Sequence, residues 1–80
     1  MRTTARYVVL NFIMPGFEVV PLEMNDEKTG EKRNYGYRHD LKGDCTITFG
    51  NGVVMITDQH DTGRQLVVGA KEFIATTNFD

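Results

Sequence analysis

Hydrophobic and polar positions alternate with a period of two along much of this chain, and that period is typical of β-strands. In "CTITF" (45–49), Cys45, Ile47 and Phe49 fall on one face and two threonines on the other. "RYVVLNFIM" (6–14) has apolar side chains on both faces, as expected of a central strand that is covered on each side. No segment shows three turns of helical periodicity. The pattern therefore predicts a β-dominated fold.

Turn residues divide the first half of the chain. Pro15 presets φ and Gly16 tolerates positive φ, as a type II turn requires, so "FEVVPLEM" (17–24) is predicted to be a second strand. Pro21 has no backbone N–H for a hydrogen-bond ladder. We therefore expect this strand to lie at a sheet edge or to carry a bulge.

The remaining turn signals predict four more strands. They are "RNYGYRH" (33–39), "CTITF" (45–49), "VVMITD" (53–58) and "RQLVV" (64–68). Residues 17–39 form one long hairpin in this interpretation, and "DLKGD" (40–44) is a turn. Asn51-Gly52 favours a mirror-image hairpin turn, whose twist matches that of its flanking strands.

The C-terminal segment 70–80 contains both helix-favouring and sheet-favouring residues, and we expect a short helical turn at Lys71–Ile74 in preference to a last strand. The predicted fold is one domain over residues 1–80. It is a small antiparallel meander or barrel of five to six strands with at most that helical turn.

Composition limits what such a domain does. Eighty residues bury a small core, and a formal charge of −2 argues against a polybasic nucleic-acid binder. One cysteine makes no internal disulfide, and no apolar run has signal-peptide or transmembrane length. The sequence suggests a complete small cytoplasmic gene product, in the host cytoplasm if its source is a virus.

Two His-Asp pairs, at His39 and His60, flank the lone Cys45 and raise the question of a metal or catalytic site. Structural zinc sites place their ligands in close pairs, which are missing here. Alternation turns Cys45 inward, whereas a nucleophilic thiol must be exposed. We therefore predict no enzyme activity, metal or cofactor, and interpret both histidines as polar loop residues.

Aromatic and basic residues are concentrated in "EKRNYGYRHDLKG" (31–43). Residues 27–42 hold five basic and three acidic groups, a local charge of +2. Tyrosines two positions apart share a strand face, and such a face stacks single-stranded nucleic acid between cations. The candidate macromolecule-binding residues are Arg33, Tyr35, Tyr37, Arg38 and Lys42.

"RNYGYRH" also resembles the RNP1 strand of cold-shock and RNA-recognition domains, which implies binding of single-stranded nucleic acid by an oligonucleotide-binding-like barrel. It departs from that pattern at Asn34 and Arg38. In the alternative interpretation the tyrosines pack along the hairpin while the cations protect an edge strand. Met14 and Phe17, which bracket the Pro-Gly turn, are either interface residues or core.

The function that these observations favour is stoichiometric binding to a protein partner by a small inhibitor or adaptor, of the kind that viruses and mobile elements encode. One alternative is a nucleic-acid-binding barrel that uses the strand of Tyr35 and Tyr37. Another is a structural subunit of a homo-oligomer that pairs its sheet edges. No membrane partner is expected.

Overall fold

The computed structural model describes residues 2–78 as six antiparallel strands in one sheet. The strands are β1 (Arg2–Leu10), β2 (Glu18–Asn25), β3 (Lys32–Gly50), β4 (Val53–Asp58), β5 (Gln65–Gly69) and β6 (Phe73–Thr77). The described residues contain no helix, and hence none long and apolar enough to cross a bilayer. The all-β prediction is confirmed.

Strand β3 is the central strand of the sheet, and it bends in its middle. Lys42 and Gly43 have φ values of 62° and 155°, so the backbone leaves the extended region there. Before the bend β3 pairs with β2 and the second half of β1, and after it with β4 and the first half of β1. The predicted turn at 40–44 is therefore a bend within one strand. Pairing resumes beyond it because β1 continues across the bend, with a register shift between Ala5 and Tyr7.

The sheet curls without closing. Its order is β5-β4-β3-β1-β6, with β2 paired to β3. After Gly69 the chain turns and β6 pairs with β1. Within residues 2–78, β5 therefore pairs with β4 on one side and with no strand on the other. The prediction of a barrel was wrong for this reason, whereas the strongly curled antiparallel sheet is observed.

The hydrophobic core fills the concave side of the bent sheet. Its buried members come from inward-facing positions and are Ala5, Val8, Leu10, Leu41, Cys45, Ile47, Val54, Ile56 and Val68. Partly buried aromatic residues extend this core, and Phe49 and Phe73 meet edge to face with ring centroids 5.2 Å apart. Cys45 lies in the core, as alternation predicted.

Strand β1 begins and ends earlier than the 6–14 segment predicted from its apolar residues. It ends at Leu10 because Asn11 turns away, its backbone N–H donating to Glu72 O at 2.9 Å. Val8 and Leu10 face the core, and Tyr7 and Val9 are also buried on the opposite face. The prediction of a central strand covered on both sides is confirmed for residues 7–10.

The hairpin and edge predictions agree with the structure. Asn51 and Gly52 both have positive φ, 55° and 74°, as a type I′ turn requires. Strand β2 pairs with β3 alone, and its register shifts between Pro21 and Glu23. Pro21 thus lies on an edge strand beside an irregularity.

The predicted helical turn at Lys71–Ile74 was wrong. Strand β6 begins at Phe73 and pairs with residues 7–10 of β1. Pairing with β1 and packing of Phe73 on the core outweigh the weak helix preference of the preceding residues. Positions 79–80 of the predicted segment lie outside the described residues.

Candidate functional site

The five predicted binding residues do not share one continuous face. Tyr37 is opposite Leu10 in the β1–β3 register and is half-buried on the core side. Arg38 lies on the other face, with its guanidinium carbon 4.6 Å from the centre of the Tyr7 ring. Tyr35 is half-exposed, and Gly36 beside it has a φ of 128°. Strict alternation is therefore interrupted between the two tyrosines.

Carboxylates pair with three of the five basic residues of the 27–42 window. Lys42 Nζ is 2.7 Å from Glu18 Oε1, and this hydrogen bond raises the pKa of Lys42. Arg33 lies 3.6 Å from Asp26. A further ion pair joins Lys32 to Glu23.

These three acids lie on β2 and in its turn, outside the 27–42 window. Including them changes the local charge from +2 to −1. The excess of positive charge that suggested a nucleic-acid surface is therefore absent from this hairpin.

His39 was predicted to be a loop residue, and that was wrong, because it is buried in β3. Its Nε2 accepts the backbone N–H of Met14 at 2.8 Å, which leaves the ring proton on Nδ1, 3.0 Å from Tyr37 O. Phe17 packs edge-on against the ring. His39 thus fixes the segment between β1 and β2 to the sheet.

His60, by contrast, is exposed in a loop, as predicted. Asp58 accepts the backbone N–H groups of His60 and Asp61 at 2.8 and 3.1 Å. These hydrogen bonds lower the pKa of Asp58, and Arg64 beside it adds to the effect. The second His-Asp pair therefore belongs to a turn that connects β4 to β5.

Cys45 is a poor candidate for chemistry in this fold. Its side chain is buried, and burial raises the pKa of the thiol, with the nearby Asp58 carboxylate adding to the effect. Within residues 2–78 no three His, Cys, Asp or Glu side chains are grouped so as to hold a metal ion.

A groove lies where the sheet does not close. It has a volume of about 680 Å³ and opens between β5 and the segment that follows β1. One wall is Leu66–Gly69 of β5, and the other holds Asn11, Phe12, Met14 and Glu72. We call this feature the β5 groove. Its volume lies within the range of about 300–1,000 Å³ that is typical of ligand sites.

The backbone N–H and C=O groups of β5 point alternately towards β4 and away from it. Ala70 N donates to Gly52 O and Arg64 O accepts from Asp58 N, so these even-numbered residues bond towards β4. Because the direction alternates along a strand, the N–H and C=O of Gln65 and Val67 point to the unpaired side. Strand β5 thus presents a backbone edge beside the groove.

Side chains of β5 alternate in the same way. Leu66 and Val68 are opposite Ile56 and Val54 of the core, whereas Val67 is 58% exposed on the convex face. A strand laid along this edge would place alternate side chains over the apolar groove.

Models of known protein families, curated proteins and solved structures were compared with this chain, and no match was found. The geometry of the β5 groove therefore carries the functional argument.

Sequence reasoning missed this groove. "RQLVV" was recognised as a strand, and its lack of charge between residues 66 and 68 was a visible signal. The opposite wall was not visible, because Phe12 and Met14 were assigned to a strand and reach β5 only through the curl of the sheet. Phe12 is 38% exposed there, whereas Met14 and Phe17 pack against the core.

Proposed function

We propose that this protein binds a partner protein stoichiometrically and without catalysis, by accepting an extended segment of the partner as an additional strand along β5. An inhibitor or an adaptor acts in this way. The proposal rests mainly on one observation: an apolar groove of about 680 Å³ runs beside a strand that, in the described part of the chain, is paired on one side only. Strand addition uses main-chain hydrogen bonds for affinity and pockets for alternate side chains for specificity.

The regularity of β5 supports the proposal. Its five residue pairs with β4, from Val53–Gly69 to Thr57–Gln65, have no register shift. Strands β2 and β6 each have one, at Pro21–Glu23 and opposite Val9–Leu10. A regular backbone edge is the better template for an incoming strand.

The two other functions considered from the sequence have less support. Ion pairs with β2 and its turn engage three of the five cations that a track for single-stranded nucleic acid would use. A homo-oligomer formed by β5 edges would bring Arg64 of a second copy to the groove, and that guanidinium is already paired with Asp58 at 3.2 Å.

A proline at position 67 tests the proposal. The outward N–H of Val67 is not part of the β4–β5 ladder, so Val67→Pro should remove a docking hydrogen bond and leave the sheet intact. The matched control is Val67→Ala, which keeps the N–H and loses the side chain. Both variants and the wild-type protein are used to select binders from a random-peptide library, after their amide NMR spectra have been compared.

We expect the wild-type protein and Val67→Ala to enrich apolar peptides, and Val67→Pro to bind the same peptides at least tenfold more weakly. Equal binding by Val67→Pro would show that the β5 edge is not used. Enrichment that is abolished by nuclease and restored by added oligonucleotide would favour the nucleic-acid function instead.

A further inference from the structure

The β5 groove has one acidic side chain, Glu72, in a lining that is otherwise apolar or neutral. Glu72 is half-buried and lines the groove beside Gly69, the last residue of β5. Among the ion pairs between described residues, none includes Glu72, although five other acidic side chains are paired. An incoming cation would therefore find a carboxylate that has not been neutralised.

The carboxylate of Glu72 occupies space that a side chain at position 69 would fill. A Cβ at Gly69 would overlap its oxygen atoms. The backbone of Glu72 is fixed on both sides, since its N–H donates to Gly69 O at 3.1 Å and its C=O accepts from Asn11 N at 2.9 Å. The backbone position of Glu72 therefore depends on main-chain bonds that a substitution of the Glu72 side chain leaves in place.

We infer that the partner segment has a basic residue followed by apolar residues at alternate positions; this inference rests on the proposed function. All strand pairs in this sheet are antiparallel, and antiparallel pairing is slightly more stable per residue than parallel pairing. An antiparallel strand on β5 begins beside Gly69, so its first residues meet Glu72 and later ones meet Leu66 and Val68. A lysine or arginine therefore precedes the apolar side chains.

Charge complementarity distinguishes this partner from a second copy of the chain. The basic residue that precedes the apolar run of β5 is Arg64, and its guanidinium already pairs with Asp58 at 3.2 Å. A partner that supplies an unpaired Lys or Arg gains the interaction with Glu72 without breaking another ion pair.

The test exchanges the charge. The random-peptide selection is repeated with Glu72→Gln, which removes the charge at nearly constant size, and with Glu72→Lys, which reverses it. We expect wild-type binders to carry Lys or Arg before the apolar positions and to bind Glu72→Gln about two- to fivefold more weakly, as for a partly exposed ion pair. Glu72→Lys should enrich Asp or Glu at the same place.

Gly69→Ala is an independent check, because it displaces the carboxylate and leaves Glu72 in the chain. It should weaken binding of the basic peptides more than binding of neutral apolar peptides, because only the basic peptides use the carboxylate of Glu72. Apolar binders that compete for the groove, but lack a preferred cation and bind all Glu72 variants equally, would overturn this inference and leave the proposed function standing. Absence of any binder sensitive to Val67→Pro would overturn both, as would binding by a second copy of the chain alone.

Discussion

The edge strands β2 and β5 are built differently. Strand β2 carries Pro21, a register shift, and two glutamates in ion pairs with lysines. Strand β5 has no proline, no charged residue and no shift across Gln65–Gly69. Prolines, charges and bulges are the means by which sheets avoid pairing with other chains. The contrast indicates that one edge is protected and the other is left available.

Their surroundings differ in the same sense. Two lysines of β3 pair with glutamates of β2, so exposed charged groups lie along that strand. Beside β5 lies an apolar groove whose far wall is fixed by the bond from Met14 N to buried His39. Strand addition requires an unpaired edge and a shaped apolar surface beside it. Strand β5 has both, whereas β2 carries a proline, a register shift and ion pairs.

The largest expected effect is on the free energy of unfolding, and it distinguishes a core residue from a residue on the β5 edge. Leu10 is fully buried, so Leu10→Ala should lower the free energy of unfolding by about 2–5 kcal/mol. Val67 is largely exposed, so Val67→Ala should cost less than about 0.5 kcal/mol. Urea denaturation monitored by circular dichroism measures both. A cost for Val67→Ala that approached that of Leu10→Ala would mean that β5 is part of the closed core.

His39 connects the closed core to the wall of the groove. His39→Leu should lower the free energy of unfolding by about 1–3 kcal/mol, because it leaves Met14 N–H without its acceptor. It should also weaken peptide binding, because the 11–14 segment loses its anchor. The control is His39→Gln, whose side-chain oxygen can take the place of Nε2. Peptide binding that survives His39→Leu unchanged would show that this wall plays no part.

Gly36 tests the irregularity next to the protected edge. Its φ is 128°, and a Cβ there would lie 2.7 Å from Ile74 Cδ1 and 3.0 Å from Leu10 O. Gly36→Ala should therefore cost about 1–3 kcal/mol. Gly30→Ala serves as the control, because its φ is also positive but no atom crowds the site. If the two variants lose similar free energies of unfolding, the loss at Gly36 comes from backbone strain and not from crowding of the Cβ.

The sequence was sufficient for the features that depend on neighbouring residues. Alternation identified the inward position of Cys45, and Asn51-Gly52 identified its hairpin turn. The bend at Lys42 was interpreted as a turn, because local turn residues do not reveal whether a neighbouring strand continues across them.

The candidate site could not be predicted from the sequence for a related reason. The pairing of Lys42 with Glu18 and the meeting of Phe12 with β5 both join residues that are far apart in the chain. The net charge of residues 27–42 therefore had the wrong sign for the hairpin surface. The groove has no pattern of neighbouring residues that would have predicted it.

The smallest expected effect is on acid stability in the β4–β5 turn. Backbone hydrogen bonds from His60 and Asp61 lower the pKa of Asp58 below its ordinary value of 3.8. The carboxylate therefore stabilises the fold above that value, and the contribution is lost as the pH falls through the lowered folded pKa. Urea midpoints should decline more between about pH 5 and about pH 2.5 for the wild-type protein than for Asp58→Asn, which keeps the acceptor oxygen. If the urea midpoints of the two proteins decline equally, Asp58 does not contribute to acid stability.

Amide hydrogen exchange on addition of a library-selected peptide tests the central claim most directly, because it reports which edge receives the new strand. The account predicts that exchange slows at Gln65 and Val67, whose N–H groups point away from β4, and stays unchanged along Glu18–Asn25. Protection that appeared on β2, or a bound peptide that left the Val67 amide unprotected, would contradict it.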